Sequence, residues 1–433
     1  MAYLICFAAS TVLAYFANKT SDRKKFWMLS AISILIPVLL AGLRDYEIGI
    51  DTISYMSKKR YWLGAASAES LGEYMEYYMG IGYGEPLFAL LCGMIGQTFG
   101  NYSVFLFVVH AIIITGVYIG AYRFRKEVNP AMVLLLFYLV FYNHSLNIMR
   151  QYMAMAIVFA ALADIPQKKY IRYSIAVVIA MMFHTSALLG FGAIVIHWYL
   201  YCDWKGCVGK VKRAGKRIGH VLLPNRKTER KIKNQRLAKF TAFIRKLFDN
   251  CKNAYNAVCT QVEKIEPVVR RRQVILFSAM LLLVLLANPL CRLVIRMGFL
   301  HEKYLWYLDM SKAEHTTLIT LFLLLEMSVL LLWHKYLRKS SRLFDFFFAN
   351  TGTYLILHQI SSFIVYGKRV AAYFALANLV TIAMIPRMYK DKKRRVIVYV
   401  LVLCVVIFYW FYTYILRNAS QTYPYALVFF GGE

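Results

Sequence analysis

The stretch NYSVFLFVVHAIIITGVYIGAY at residues 101–122 contains no Asp, Glu, Lys or Arg, and Arg123, Arg125 and Lys126 follow it directly. About 20 apolar residues are enough for an α-helix to cross the hydrocarbon core of a bilayer. Positive charge next to such a run is typical of a cytoplasmic loop. The stretch therefore predicts a membrane-spanning helix whose carboxyl end faces the cytoplasm.

Apolar runs of this kind recur along most of the 433 residues. Of all residues 60% are hydrophobic and the mean hydropathy is +0.50, which is more apolar surface than one soluble core can bury. A water-soluble globular protein is therefore excluded. Candidate spans lie at 2–18, 26–43, 101–122, 131–145, 147–165, 170–184, 186–202, 273–297, 315–336, 343–366, 369–386 and 396–416. The predicted fold class is all-α, a polytopic integral membrane protein of about 12 transmembrane helices.

Basic clusters lie in the connections between these spans, at 19–25, 123–126, 168–172, 203–272, 338–342 and 387–395. All of them can face the cytoplasm if 12 spans are counted and the short apolar stretch 85–99 does not cross. Both termini then lie outside. We expect 85–99 to form a short re-entrant or interfacial helix, because a full crossing would give 13 spans and break the charge pattern. The first run has no basic residue before it, so it is expected to be a retained span.

The chain divides into two groups of helices within one membrane domain. Residues 1–202 hold the N-terminal helices with an outer loop at 44–84, and residues 273–433 hold the C-terminal helices. Between them, 203–272 carries 20 Lys+Arg and 5 Asp+Glu, which predicts a basic cytoplasmic loop. Its apolar residues recur at helical spacing and fit either an amphipathic helix on the inner leaflet or a short helix in a solvated linker. These residues are Leu237, Phe240, Ile244 and Phe248.

The net charge of +30 requires partners of opposite sign. Anionic membrane lipids meet that requirement, and no nucleic-acid-binding signature accompanies the charge, so nucleic acid is not expected as a partner. The eight cysteines lack the spacing of a zinc site, and no nucleotide-binding glycine motif is present. No cofactor or metal is expected, although a weakly bound divalent cation on the carboxylates stays an alternative.

Charged residues at span ends are costly unless they are paired or line a wet cavity, which makes them candidates for function. With 12 spans, one set converges on the outer face: Arg44, Asp45, Asp51, Glu85, Arg150, His184 and Arg369. Each has an ordinary alternative, since an arginine can anchor a span, Asp51 can cap a helix and His184 can close a turn. Three arginines on one face favour a catalytic cavity there over anchoring.

The arginine guanidinium matches phosphate oxygens geometrically. In many bacterial membranes the phosphate at that depth is the diphosphate of a polyprenol carrier, which predicts a lipid-linked glycan as substrate. Catalysis would need arginines to stabilise the departing diphosphate and a base to take a proton from a sugar hydroxyl.

Several short motifs, taken in order, resemble the EpsG-type family of Wzy-like bacterial polysaccharide polymerases. They are Gly42-Leu43-Arg44, Gly49-Ile50-Asp51-Thr52-Ile53-Ser54-Tyr55, Glu85-Pro86, Asn147-Ile148-Met149-Arg150-Gln151, Phe183-His184-Thr185-Ser186-Ala187, Lys368-Arg369 to Ile385-Pro386, and Tyr423-Pro424-Tyr425. The resemblance covers about 1–200 and 355–433. The basic insertion at 203–272 departs from the usual pattern.

The resemblance implies a glycosyltransferase of the bacterial cytoplasmic (inner) membrane. Such enzymes join undecaprenyl-diphosphate-linked oligosaccharide repeat units at the outer face, in exopolysaccharide, capsule or O-antigen synthesis. It implies that Arg44, Arg150 and Arg369 bind the diphosphate, that His184 or Asp51 is the base, that Glu85 positions a sugar or the arginines, and that Asn147, Gln151, Tyr55 and Tyr373 support them. The 203–272 loop is then expected to contact other polysaccharide-assembly proteins.

Two other functions fit part of the pattern. A flippase or exporter of the same lipid-linked glycan would also use arginines, but spread along the membrane depth. A membrane O-acyltransferase is suggested by His184 and by His358, but it would need a cytoplasmic donor site. The candidate residues gather at the outer face instead, which favours the polymerase.

Overall fold

The computed structural model describes residues 1–58, 61–82, 84–201, 268–297, 305, 308, 317–362 and 367–428. One compact unit comprises residues 1–195 and 283–433, and a second comprises 196–282. The predicted amphipathic helix at 237–248 lies outside the described residues, as does most of the basic loop.

The described part of the chain is helical, with no strand in it. The α-helices are α1 (Ala2–Lys19), α2 (Arg23–Gly42), α3 (Thr52–Ser57), α4 (Trp62–Ser67), α5 (Leu71–Gly80), α6 (Pro86–Phe99), α7 (Tyr102–Arg123), α8 (Pro130–Phe137), α9 (Asn143–Ser145), α10 (Met149–Ala161), α11 (Tyr170–Met181), α12 (Phe191–Tyr201), α13 (Val268–Leu285), α14 (Ala287–Arg296), α15 (Thr317–Leu332), α16 (His334–Ser340), α17 (Phe344–His358), α18 (Lys368–Met384) and α19 (Lys392–Trp410). A π-helical turn at Tyr138–Tyr142 continues α8, and another at Phe411–Leu416 continues α19. The all-α prediction is confirmed for these residues.

Five helical stretches in the described ranges are long and apolar enough to cross a membrane: α1, α2, α7, Lys368–Met388 and Lys392–Leu416. The number is up to seven if α13 with α14 and α15 with α16 are each one span, bent by 61° and 77°. Shorter apolar helices lie at Pro86–Phe99, Pro130–Ser145, Tyr170–Met181 and Thr185–Tyr201. The protein is therefore a multi-pass membrane protein, and the count of 12 stays a prediction.

The stretch predicted not to cross forms α6. Its 14 residues extend about 21 Å, less than the roughly 30 Å hydrocarbon core. Pro86 occupies the first turn, where its missing N–H costs nothing, and Gly100 ends the helix in a left-handed conformation with φ of +58°. The helix packs against α4, α5 and α7. A short helix at this position is confirmed, and its re-entrant or interfacial course stays a prediction.

The helices that carry the candidate site pack in the larger unit. Helix α7 lies against α2 and α10, and α10 also contacts α11 and α18. Their interfaces are apolar, with Phe105, Ile113 and Val117 of α7 fully buried. Because this core is hydrophobic, the charged residues lie at the helix ends, where the connections bring them together.

Candidate active site

A cavity of about 190 Å³ opens where several of these helices begin or end. It is lined by Asp51, Ser54, Tyr55, Lys58, Tyr61, Ile148, Arg150, Gln151, His184 and Arg369. Four of the predicted catalytic or diphosphate-binding residues are among them, although they lie far apart in the sequence: Asp51, Arg150, His184 and Arg369. The structure thus brings together most of the set that the span-end argument predicted.

Glu85 joins two of these residues. Its Oε2 accepts a hydrogen bond from Nη1 of Arg150, and its Oε1 lies 2.5 Å from Nδ1 of His184. The backbone N–H of Thr185 also points to Oε1, at 3.4 Å. Burial alone would raise the pKa of Glu85, but the hydrogen bond from His184 and the charge of Arg150 outweigh it and hold that pKa below its usual value. Glu85 is therefore an ionised carboxylate shared by a cation and an imidazole.

The local sequence explains why Glu85 meets His184. Pro86 starts α6 directly after Glu85, and the next two backbone N–H groups, of Leu87 and Phe88, donate to the carbonyl of Met182 at 3.0 and 3.3 Å. Met182 follows the last residue of α11. The beginning of α6 is thereby bound to the end of α11, two residues before His184.

Arg150 is held by aromatic rings as well as by Glu85. Its guanidinium carbon lies 6.0, 5.1 and 5.5 Å from the ring centres of Tyr55, Tyr61 and Phe88, within cation–π range. Its Nε donates to the hydroxyl of Tyr55 at 3.4 Å, and 17% of its side chain is exposed. Burial raises the pKa of Tyr55 despite Arg150, so the phenol stays neutral. Arg150 is thus fixed in direction while part of it faces the cavity.

His184 has the hydrogen bonding of a general base. Because the Glu85 carboxylate is ionised, its Oε1 accepts a hydrogen bond from Nδ1 of His184. When the imidazole is neutral, its single N–H proton is therefore on Nδ1. The other ring nitrogen, Nε2, is then the proton acceptor of a side chain that lines the cavity. A carboxylate that orients a histidine in this way fixes its tautomer and stabilises the imidazolium that forms on protonation.

Arg369 and Lys58 add positive charge to the cavity. Arg369 lies in the first turn of α18, and its carbonyl accepts from Nε2 of Gln151 at 3.2 Å, which joins the beginnings of α10 and α18. Lys58 follows α3 and is exposed. Together with Arg150, these residues give the cavity wall three cationic side chains, whereas Asp51 is the one carboxylate among its described lining residues. This excess of positive charge is suited to an anion with several charges.

The loop that carries Asp51 is bound to the C-terminal segment. The backbone N–H groups of Asp45 and Gly49 donate to the carbonyls of Ala426 and Gln421 at 3.0 and 2.8 Å. Gly49 has φ of +101°, and a Cβ there would collide with Asn147, so only glycine fits. Asn147 in turn accepts the Asp51 N–H at 3.3 Å. The Gly49-Ile50-Asp51 motif therefore sets the position of Asp51.

Arg44 is not one of the residues that line this cavity in the described part of the chain. Its side chain is fully buried, and Nη2 donates to the carbonyl of Leu146 at 2.8 Å and to Thr52 at 3.4 Å. Within the described ranges its Nε and Nη1 have no hydrogen-bond partner, and burial lowers its pKa. This geometry gives no support to its predicted role in diphosphate binding and makes it a brace between the loop and α9.

The remaining candidates lie close to the cavity. Tyr373 shares a hydrogen bond of 3.0 Å with Ser186, two residues from His184. Four lining residues were not predicted: Ser54, Lys58, Tyr61 and Ile148. A signal for two of them exists, because Asp51, Ser54, Tyr55 and Lys58 recur at the spacing of one helix face. In the part of the chain that the structure describes, no group of three His, Cys, Asp or Glu could hold a metal ion.

Comparison with known proteins gives one family. The model of the EpsG family matches residues 27–204 and 271–427, most of the chain on both sides of the basic loop. No curated protein and no solved structure matches the chain significantly. The matched ranges include every residue that lines the cavity. The chain therefore belongs to the EpsG family, as the order of its motifs indicated.

Proposed function

We propose that this protein is a polysaccharide polymerase that joins undecaprenyl-diphosphate-linked oligosaccharide repeat units. The observation that carries the proposal is the double contact of Glu85, which binds Arg150 on one side and His184 on the other at the wall of one cavity. Anion binding and proton abstraction are thereby combined within a few ångströms. Glycosyl transfer from a diphosphate requires both.

In the proposed reaction, Arg150, Arg369 and Lys58 bind the diphosphate of the donor lipid. A hydroxyl of the acceptor sugar gives its proton to Nε2 of His184, and its oxygen attacks the anomeric carbon of the donor glycan. The bond from that carbon to the phosphate oxygen breaks, and the diphosphate leaves with the electron pair. The cations stabilise the added negative charge, and Glu85 stabilises the imidazolium.

The topology completes the proposal. We place the cavity at the outer face of the bacterial inner membrane, with 12 spans, both termini outside and the basic connections in the cytoplasm, in accordance with the distribution of Lys and Arg. The product would be an exopolysaccharide, capsule or O-antigen chain. No cofactor is required, because the diphosphate leaving group supplies the driving force.

The test is a reaction in proteoliposomes. Purified full-length protein is incubated with a polyprenyl-diphosphate-linked oligosaccharide, and products are separated by gel and identified by mass spectrometry. A ladder of glycans that differ by one repeat unit supports the proposal. Its absence with a matched repeat unit, together with passage of labelled substrate across the membrane, would replace the polymerase with a flippase.

A further inference from the structure

A second cavity, of about 250 Å³, lies at the same end of α10 and α18 as the candidate active site. Its polar wall includes His144, His358, Lys368 and Arg417. It adjoins an apolar cavity of about 290 Å³ between α15, α18 and α19, and both are lined by Val140, Phe141, Ile319, Tyr354 and Tyr409. Together they form a groove that is basic at the helix ends and apolar within the bundle.

The polar part of this groove is built for an anion. No described residue on its wall is acidic, and it carries the cations Lys368 and Arg417. His358 is 4% exposed, and its Nδ1 has no hydrogen-bond partner among the described residues, so that nitrogen is left for a ligand. The apolar part has one carboxyl group, of Glu326, which accepts from Asn378 at 2.9 Å. A ligand that fits both parts has an anionic head group and a hydrocarbon tail.

The two cavities are separated by the beginnings of two helices. At the beginning of α10, Gln151 lines the candidate active site and the following residue, Tyr152, lines the second cavity. At the beginning of α18, Arg369 lines the candidate active site and the preceding residue, Lys368, lines the second cavity. Consecutive helical residues point in different directions, so each helix start contributes to both walls. Head groups bound on the two sides would lie next to each other.

A hydrogen-bonded link also joins the cavities. Asp51, on the wall of the first, donates its N–H to Oδ1 of Asn147, and Nδ2 of Asn147 donates to the carbonyl of Ser420 at 2.8 Å. Ser420 lies on the wall of the second cavity. A displacement of Asp51 or of Ser420 would therefore be transmitted to the other residue through Asn147.

We propose that this groove binds the second lipid substrate, the acceptor, with its diphosphate against Lys368 and Arg417 and its polyprenyl tail in the apolar part. The inference rests on the proposed function, because polymerisation needs two lipid-linked glycans and the cavity with His184 takes the donor. A diphosphate carries more negative charge than the phosphodiester of a phospholipid, which matches two cations and two histidines better. The acceptor glycan would then reach His184 past the beginning of α18.

Binding without catalysis tests the site separately from the reaction. The probe is undecaprenyl diphosphate with a diazirine in its tail, added to full-length protein in nanodiscs, with crosslinked peptides identified by mass spectrometry. Labelling is expected around Ile319 and Val402, and the double variant Lys368→Gln, Arg417→Gln should lower it about tenfold or more. Arg394→Gln is the control, because that exposed arginine lies at the other end of α19.

Two results would overturn the proposal. One is labelling of these residues that the double variant leaves unchanged. The other is equal labelling by a diazirine phosphatidylglycerol, which would make the groove a phospholipid site. Neither result would affect the ladder assay of wild-type protein, so failure of the lipid site and failure of the polymerase proposal are distinguishable.

A kinetic test uses a bulky residue in the apolar part. Val402 lines the groove, whereas Val400 on the same helix is 52% exposed and does not. With a donor whose accepting hydroxyl is methylated, and an acceptor whose anomeric oxygen is replaced by a methylene group so that its diphosphate cannot leave, the two concentrations can be varied separately. Val402→Trp should raise KM for the acceptor about tenfold and leave KM for the donor unchanged, and Val400→Trp should change neither. Equal effects of the two variants on acceptor KM would contradict the site.

Discussion

The two ends of the same helices use similar charged residues differently. At one end α10, α11 and α18 present Arg150, His184 and Arg369 to a cavity. At the other end the same helices carry Asp164, Arg172 and Arg387, and these pair with one another or with Arg123 and Glu127. The 13 residues of α10 separate the two ends by about 20 Å. A charged residue at a span end is therefore not informative by itself, and its partners decide whether it binds a ligand or the protein.

At the end that carries Asp164 and Arg387, the charged residues bind mainly to other groups of the protein. Arg123 donates to both carboxylate oxygens of Asp164, at 2.5 and 3.1 Å, and Asp164 is 1% exposed. Arg387 donates to the carbonyl of Glu127, whose carboxylate accepts from Ser341. At the cavity end, Arg150 also has an acid partner, but that acid is shared with His184. The cavity end thus resembles a ligand-binding site, whereas the charged pairs at the other end connect the helices to one another.

Removal of one arginine from each end should give the largest contrast. Arg150→Ala should lower polymer synthesis about 10²–10³-fold, because a donor to the departing diphosphate is lost. Arg123→Ala should retain activity per folded molecule but lose about 3 kcal/mol of stability, since it leaves a buried carboxylate poorly paired. Ladder length in proteoliposomes and thermal unfolding in detergent measure the two effects. Similar activity losses in both variants would remove the distinction between the ends.

A histidine from each end provides the next test. His184→Ala should lower the rate about 10²-fold or more while donor binding persists, because only the base is lost. His334 lies 3.6 Å from Asp345 at the end that carries Asp164, and His334→Ala should leave the rate of folded protein unchanged. Single-turnover rates and binding of a non-reactive donor are the measurements. If His184→Ala loses rate and binding equally, the histidine is structural.

The sequence predicted the helices and part of the site because both follow from local chemistry. Every candidate span contains a helix, since a bilayer demands long apolar runs. Glu85, Arg150 and His184, which contact one another in the structure, could be grouped from sequence because each lies at the end of a predicted apolar segment on the same side. Arg44 looked the same in sequence but is buried in the protein. Whether a span-end arginine turns inward depends on neighbours such as Leu146, about 100 residues away in the chain, which no local pattern reveals.

Replacement of Glu85 tests whether the two contacts act together. Glu85→Gln keeps the size of the side chain but removes the charge, and we expect a loss of rate smaller than that of His184→Ala. Because the pKa of Glu85 is lowered in the folded state, its contribution to stability is present above the usual carboxyl value near 4.5 and is lost as the pH falls through the lower folded pKa. Wild-type protein should therefore lose stability over that acid range more steeply than Glu85→Gln, as measured by thermal unfolding at several pH values. Parallel pH curves would mean that Glu85 is not the shared anion.

Arg172→Gln should have the smallest effect, and for that reason it sharpens the comparison. Arg172 also reaches Asp164, at 3.5 Å, but 70% of its side chain is exposed, against 23% for Arg123. An exposed ion pair contributes at most about 1 kcal/mol, so thermal unfolding and polymer length should both stay close to wild type. A loss as large as that of Arg123→Ala would mean that Asp164 needs both arginines equally. If the small effect is observed, burial and not the mere presence of a charge at the helix end determines which arginines hold the fold.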